Sequence, residues 1–421
     1  MRVLGSPQGG RALAFVASGL LAVCLALGSR PVASAAQDAS REGEVRALWV
    51  TRLSLASPDA IAAMVRSANS NHFNTLLVQV RARGEAYFRD ALEPRAAALD
   101  QQPASFDPLE TVLTLARAAG LRVHAWVNVG LVSSAVDLPA SRAHVVNQHP
   151  EWLMVPRAIS SEMALLEPKS RLYVEKLSRW IRSQSAEVEG LYLSPIPDGA
   201  ADHVVAVVSD LAARYAVDGI HLDYARYPSD DFDYSREALQ AFASDARSTV
   251  AEAEARRLER RASAAPLAWV DAFPERWREF RRARLTTLVT RLAGTVKKWR
   301  PTALFSAAVY PDASDAATRR LQDWRAWLAN GSLDVVCPMA YATDVPAFTQ
   351  QIVSARRDAG TRSLWAGIGA YRLTSAQTIE NIQIARRVGV DGIILFSYDS
   401  LTSAPNGPEY LAQVGQAAFT R

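Results

Sequence analysis

The sequence predicts an α/β fold of the (β/α)8 barrel type, with long loops after the third and fourth strands. Three observations lead there. Eight apolar runs of strand length recur between residues 44 and 400, with seven longer segments of helical character between them. The runs are apolar nearly throughout, as strands of a parallel sheet covered on both faces should be. Glycine closes several helical segments just ahead of the next run, at Gly120, Gly360 and Gly389, where a helix C-cap is expected.

In order, the first strand, 45–51, carries Trp49 and ends at Thr51 and Arg52, ahead of a helix over 58–69. The second, 75–80, leads into Gln79, Arg81 and Arg83, which share one parity and so one face, followed by Glu85. A helix over 108–119 precedes the third strand, 122–129, where His124, Trp126 and Asn128 again share a parity. The connection over 129–217 is long. It holds His149-Pro150-Glu151-Trp152, a short extra apolar run at 190–193, and a helix over 203–215. The fourth strand, 218–223, is followed by a second long connection, 228–302, ending in a helix over 277–298. Loops of such length in a compact domain usually shape a site. The fifth strand, 303–309, ends at Tyr310 and Asp312, before a helix over 318–329. The sixth, 333–340, runs into Tyr341 and Asp344, before a helix over 345–358. The seventh, 363–369, carries Trp365, leads to Tyr371 and precedes a helix over 375–388. The eighth, 391–397, ends at Tyr398 and Asp399. The barrel domain is expected over 44–410. A doubly wound open sheet is the structural rival, and it lacks the Gly-rich phosphate turn expected after its first strand.

Residues 1–36 stand apart. Arg2 and Arg11 precede an apolar run over 12–27, and Ala33-Ser34-Ala35-Ala36 offers small residues for cleavage. This reads as a secretory signal peptide, with an uncleaved anchor as the alternative, so the mature chain is expected to be periplasmic or secreted without stable membrane insertion. Cys24 falls inside the apolar run, which leaves Cys337 alone and permits no internal disulfide. The formal charge of +4 falls to about +1 without the three arginines of the leader, so nothing points to nucleic acid.

The chemistry concentrates in Asp218-Gly219-Ile220-His221-Leu222-Asp223-Tyr224-Ala225-Arg226-Tyr227-Pro228. Strand alternation puts His221 and Asp223 on one face, with Asp223 at the C-terminal end, where barrel enzymes do their chemistry. The other strand ends contribute aromatic rings beside amide, guanidinium and carboxylate groups, a combination suited to a sugar. A phosphate site would want glycines and helix N-termini. No metal-ligand spacing appears among the histidines, and no cofactor is called for.

The stretches Glu44-Val45-Arg46-Ala47-Leu48-Trp49-Val50, Asp218 to Pro228, Trp277 to Arg282, Cys337-Pro338-Met339-Ala340-Tyr341 and Gly392-Ile393-Ile394-Leu395-Phe396-Ser397-Tyr398 together resemble the glycosyl hydrolase-like 10 family of bacterial proteins. The resemblance covers about 44–400 in colinear order. It implies a TIM barrel, export, and action on bacterial glycans, with peptidoglycan or another amino-sugar polymer foremost. A more distant likeness is to chitinase-type barrels. Asp218, Gly219 and Asp223 match their fourth-strand motif, and Met339 and Tyr341 match their sixth-strand motif. His221 replaces an Asp, Ala225 stands where the proton-donating Glu would be, and Ala342 replaces the second motif's Asp. Asp223 must then take the central role itself.

Glycoside hydrolysis needs an acid for the leaving oxygen and a group opposite that stabilises or attacks the oxocarbenium-like centre. The expectation is Asp223 as general acid, its pKa raised by aromatic surroundings, and Asp344 as the opposing carboxylate, with Asp399 next in line. Trp49, Gln79, Arg81, Trp126, Asn128, His221, Tyr224, Arg226, Tyr341, Tyr398 and Asp399 are expected to hold the polysaccharide. A substrate-assisted variant would need one acid only and leave Asp344 dispensable. The rival from another class is a glycan-binding barrel without catalysis.

Overall fold

Eight parallel strands close into a barrel: β1 (Val45–Val50), β2 (Thr75–Arg81), β3 (Arg122–Asn128), β4 (Gly219–Asp223), β5 (Leu304–Val309), β6 (Val335–Ala340), β7 (Ser363–Ile368) and β8 (Gly392–Phe396). Each pairs in parallel with the next, and β8 closes on β1, with Trp49 opposite Phe396. This is the (β/α)8 barrel expected from the sequence, each strand within two residues of its expected bounds. The computed structural model describes residues 43–403, 406–407 and 409–420, and the described residues from Glu44 onward form one compact unit. The expected leader over 1–36, with Cys24, lies outside the described residues. No helix among the described residues is long and apolar enough to cross a membrane.

The strands are buried on both faces, which is why their sequences run apolar without alternation. Their outward residues join the main core beneath the helices. The inward ones, among them Trp49, Leu77, Trp126, Trp365, Cys337 and Ile394, form a separate cluster that fills the barrel. Gly120, Gly360 and Gly389 take φ of +70°, +60° and +84°, a region that favours glycine, and they end their helices where the sequence placed the caps.

The two long connections build the rest. Between β3 and β4, Leu131–Ser133 and Leu191–Tyr192 pair antiparallel as a small ribbon, and the extra apolar run supplies its second strand. After β4, helices Arg236–Arg247, Glu252–Ala262 and Ala268–Ala272 pack on the start of the long helix Pro274–Trp299. They share a small core containing Phe242, Leu258, Trp269 and Trp277.

One expected helix is broken. Instead of a single helix over 318–329 the chain forms Ala313–Arg319 and Trp324–Ala329, with Leu321 at φ +53° between them. The break lets Gln322 turn inward. Its Oε1 accepts from the Tyr310 amide at 2.9 Å, and its Nε2 donates to the carbonyls of Ala225 and Ala308 at 3.2 and 3.3 Å. Gln322 is fully buried and ties the loop after β4 to the end of β5. Gln322→Leu leaves these buried backbone groups unpaired and is expected to cost about 1–3 kcal/mol, read as a lowered denaturant midpoint.

Candidate active site

The C-terminal mouth of the barrel opens into a cleft of about 550 Å³. Trp49 and Trp126 form its floor. Tyr224, Tyr310, Tyr341, Tyr371 and Phe396 supply aromatic walls, and Asp223, Arg226 and Glu189 supply the charge. Strand register explains the grouping, since Asn128 lies opposite Asp223, and Trp126 opposite His221, across β3 and β4.

Asp223 is 8% exposed. Its Oδ1 accepts from the Tyr224 amide at 2.6 Å and from Arg226 Nη1 at 3.1 Å, and no described residue donates to Oδ2. Burial raises its pKa above the ordinary carboxylate value, against the opposing pull of Arg226 and the Tyr224 N–H, and the charge of Glu189 raises it further. A proton on this carboxyl sits on Oδ2, because Oδ1 already accepts two donors. Tyr224 turns the chain out of the strand at φ +52°, a strained backbone state for an aromatic residue and one that recurs at functional sites. The Val129 and Gly130 amides donate to the Asp223 and Tyr224 carbonyls at 2.7 and 3.0 Å and hold this turn in place.

Arg226 is almost wholly buried. It contacts Asp223 through Nη1 at 3.1 Å and Glu189 Oε1 through Nη2 at 3.5 Å, and its guanidinium lies 4.1 Å from the centroid of the Tyr224 ring. Glu189 precedes the second ribbon strand, and its Oε2 accepts from the Tyr192 hydroxyl at 2.7 Å. It was not among the residues expected from the sequence. The only pointer to it was the extra apolar run beginning next to it.

The other expected residues divide into those that line the cleft and those that support it. Trp49, Trp126, Tyr224, Arg226 and Tyr341 line it. His221 lies beneath the floor, fully buried, accepting from Trp49 Nε1 at its own Nε2 (3.0 Å). An indole N–H only donates, so the imidazole proton is on Nδ1, which faces Ser306 Oγ at 2.9 Å. Burial and the neighbouring His124 hold the His221 pKa down to about 3, so the ring stays neutral. Trp126 Nε1 donates to Asn128 Oδ1 at 2.9 Å, Asn128 Nδ2 donates to the Ala82 carbonyl at 2.7 Å, and Gln79 Nε2 lies 3.4 Å from Asn128 Oδ1. Asn128, itself in contact with Gln79, therefore orients Trp126.

Arg81 is buried rather than at the rim. It makes a two-pronged pair with Glu93 at 2.7 and 2.6 Å and donates to the Asn128 carbonyl. Tyr398 is turned toward Ser67 on the helix Pro58–Ser70. Asp399 accepts from the Thr51 amide and Ser54 Oγ, both at 2.7 Å, and joins the loops after β8 and β1. Asp344 is exposed and caps the helix Val345–Ala359, accepting from the Ala347 amide at 2.9 Å. None of these four lines the cleft. Among the described residues no group of three or more His, Cys, Asp or Glu is gathered in a way that could hold a metal ion.

The description of the glycosyl hydrolase-like 10 family matches residues 44–382. The chain belongs to this family. As a member of it, the protein is a glycoside hydrolase acting on a glycan. It is 23% identical over 357 residues to the glycosyl hydrolase DigH of Escherichia coli (strain K12), covering 75% of this chain and 68% of DigH. It is 21% identical over 344 residues to the glycosyl hydrolase YngK of Bacillus subtilis (strain 168), covering 72% of this chain and 55% of YngK. Among solved structures, the PgaB (BpsB) glycoside hydrolase domain from Bordetella bronchiseptica superposes with a TM-score of 0.60 at 16% identity. That match covers 90% of this chain and all of that domain. The catalytic domain of the β-amylase from Paenibacillus polymyxa gives a TM-score of 0.56 at 10% identity, over 90% of this chain and 98% of the other. At these identities the structural likeness speaks for the barrel alone.

Proposed function

We propose that this glycosyl hydrolase-like 10 protein is exported and cleaves an amino-sugar polysaccharide of the bacterial envelope, peptidoglycan foremost, with Asp223 as the general acid. Export rests on the basic, apolar and small-residue pattern of residues 1–36. The observation that carries the catalytic reading is the state of Asp223. One carboxyl oxygen is clamped by two donors, and the other faces the aromatic cleft without a protein partner, in surroundings that favour its protonated form. That is what a group delivering a proton to a glycosidic oxygen requires.

The opposite role has no protein candidate across the barrel. Of the residues lining the cleft only Asp223 and Glu189 are carboxylates, and both are held by the same guanidinium. Across the mouth, β8 and β1 present Phe396 and Trp49. This favours the substrate-assisted route. The carbonyl oxygen of a 2-acetamido group bonds to the anomeric carbon as the glycosidic C–O bond breaks, and the leaving oxygen takes the proton from Asp223 Oδ2. Water then attacks the anomeric carbon, returns a proton to Asp223 and restores the acetamido group. Asp344 has no part in this scheme. Asp344→Ala is expected to lower stability by about 1 kcal/mol through loss of a helix cap while leaving kcat within twofold of wild type. A hundredfold loss of kcat would restore it as the opposing carboxylate.

The reading is tested by incubating the mature chain with intact and amidase-stripped peptidoglycan and with N-acetylated and de-N-acetylated β-linked amino-sugar polymers, assaying new reducing ends. Product from N-acetylated glycans alone supports it. Retention on a glycan with no product from any of them would favour the glycan-binding alternative.

A further inference from the structure

Three groups meet on one side of the cleft: the buried carboxyl of Asp223, the partly exposed carboxylate of Glu189, and between them the guanidinium of Arg226. An arginine paired with Asp223 alone would hold it as a carboxylate and make it a poor proton donor. A second carboxylate on the same guanidinium changes the balance. With both acids ionised the trio would carry a net negative charge beside the buried Asp223 carboxyl, and uptake of one proton relieves it. The proton goes to the carboxyl for which charge is more costly. Asp223 is the more buried of the two, with 11% of its side chain exposed against 44% for Glu189. Glu189 Oε2 also accepts from the Tyr192 hydroxyl.

The geometry points to Glu189 as a positioning residue for the catalytic proton: by sharing Arg226 it weakens that arginine's hold on Asp223 as a carboxylate. The barrel does not supply this residue. It comes from the ribbon inserted between β3 and β4, so the inserted ribbon, and not the barrel alone, sets the protonation state of the barrel's acid. The remaining groups around Asp223 are accounted for. Tyr224 and Arg226 lie on its own loop, with Tyr310 from the end of β5, Tyr341 after β6 and Tyr371 after β7. His221 below it is neutral. Among the described residues, Glu189 is thus the only other carboxylate lining the cleft.

This inference rests on the reading of Asp223 as general acid, and the experiment separates the two. Glu189→Gln keeps an acceptor for Tyr192 and removes the charge. In kcat against pH, the alkaline limb of Glu189→Gln is expected to move down by about one pH unit or more. Glu189→Asp should restore the limb. In parallel, carboxyl 13C titration follows Asp223 directly, assigned by the signal missing in Asp223→Asn, and should show the same downward movement without any substrate. A limb and a titration that do not move, or a loss of rate equal at every pH, would overturn the role of Glu189. If Asp223→Asn remains fully active, the catalytic reading fails, while the 13C titration still reports whether Glu189 governs Asp223.

Discussion

Asp223→Asn is expected to abolish hydrolysis of the natural glycan, with kcat down by about a thousandfold and the thermal midpoint close to wild type. General acids contribute on the order of 10²–10⁴ to rate, and an amide cannot deliver the proton. The fold should survive because the substitution keeps the contacts of Oδ1. The side-chain amide oxygen can still accept from the Tyr224 N–H and from Arg226. KM should change little, since the rings of Trp49, Trp126, Tyr224 and Tyr341 that line the cleft are untouched. The pH dependence follows from the direction of the shift. The acid is active while protonated, so wild-type turnover is expected to hold up to the raised pKa of Asp223 and to fall above it. Steady-state kinetics on purified variant, with circular dichroism as the check on folding, measure both.

The second large effect concerns stability. Glu93→Gln is expected to destabilise the barrel by about 3–5 kcal/mol at neutral pH, because Arg81 would be left buried without its counter-charge. The pair is almost completely excluded from solvent, with side-chain exposures of 0% and 2%. Burial alone would raise the Glu93 pKa, but Arg81 and the hydrogen bonds from His203 and Arg81 hold it down to about 2. A carboxyl whose pKa is lowered in the folded state stabilises the fold above its ordinary value of 4.5, and that stabilisation is lost as the pH falls toward 2. Wild type should therefore lose stability through this window, and Glu93→Gln should lack that part of the acid sensitivity. Activity should fall as well. Arg81 also donates to the Asn128 carbonyl, and Asn128 holds the Trp126 indole in the cleft floor. Urea melts at several pH values measure the first effect.

The barrel was legible because strands covered on both faces must be apolar throughout, and because glycine at a positive φ marks where three of the helices stop, at Gly120, Gly360 and Gly389. The place of Asp223 in the cleft was legible for a related reason: a carboxyl at the tip of an apolar strand, just before the chain turns out, has little structural cause to be there. What strand parity cannot give is which inward polar atoms already have protein partners, or where the ladder slips. Gln79 and Asn128 share the inward parity of Trp126, yet Asn128 is already engaged by Trp126, Gln79 and the Ala82 carbonyl, while a register shift after Gln79 puts Arg81 opposite Val127, where it pairs with Glu93. Aspartate just beyond a strand is equally ambiguous. Asp344 stands directly before Val345-Pro346 and serves as a helix N-cap, while Asp399 braces the loop after β1. Glu189 was hidden for the opposite reason. It reaches the cleft only because a ribbon, formed by residues about 60 positions apart in sequence, brings it beside Arg226. The broken helix around Leu321 belongs with it, since an inward-facing Gln322 has no periodic signature.

The central claim is that Asp223 hands its proton to the leaving oxygen, and leaving-group dependence tests this most directly. Wild type and Asp223→Asn are compared on the natural linkage and on an aryl glycoside of the same sugar whose acidic phenol departs without protonation. The account predicts a loss of about a thousandfold on the natural linkage and of less than about tenfold on the aryl glycoside. An equal loss on both would contradict it, because Asp223 would then be acting at the sugar and not at the departing oxygen.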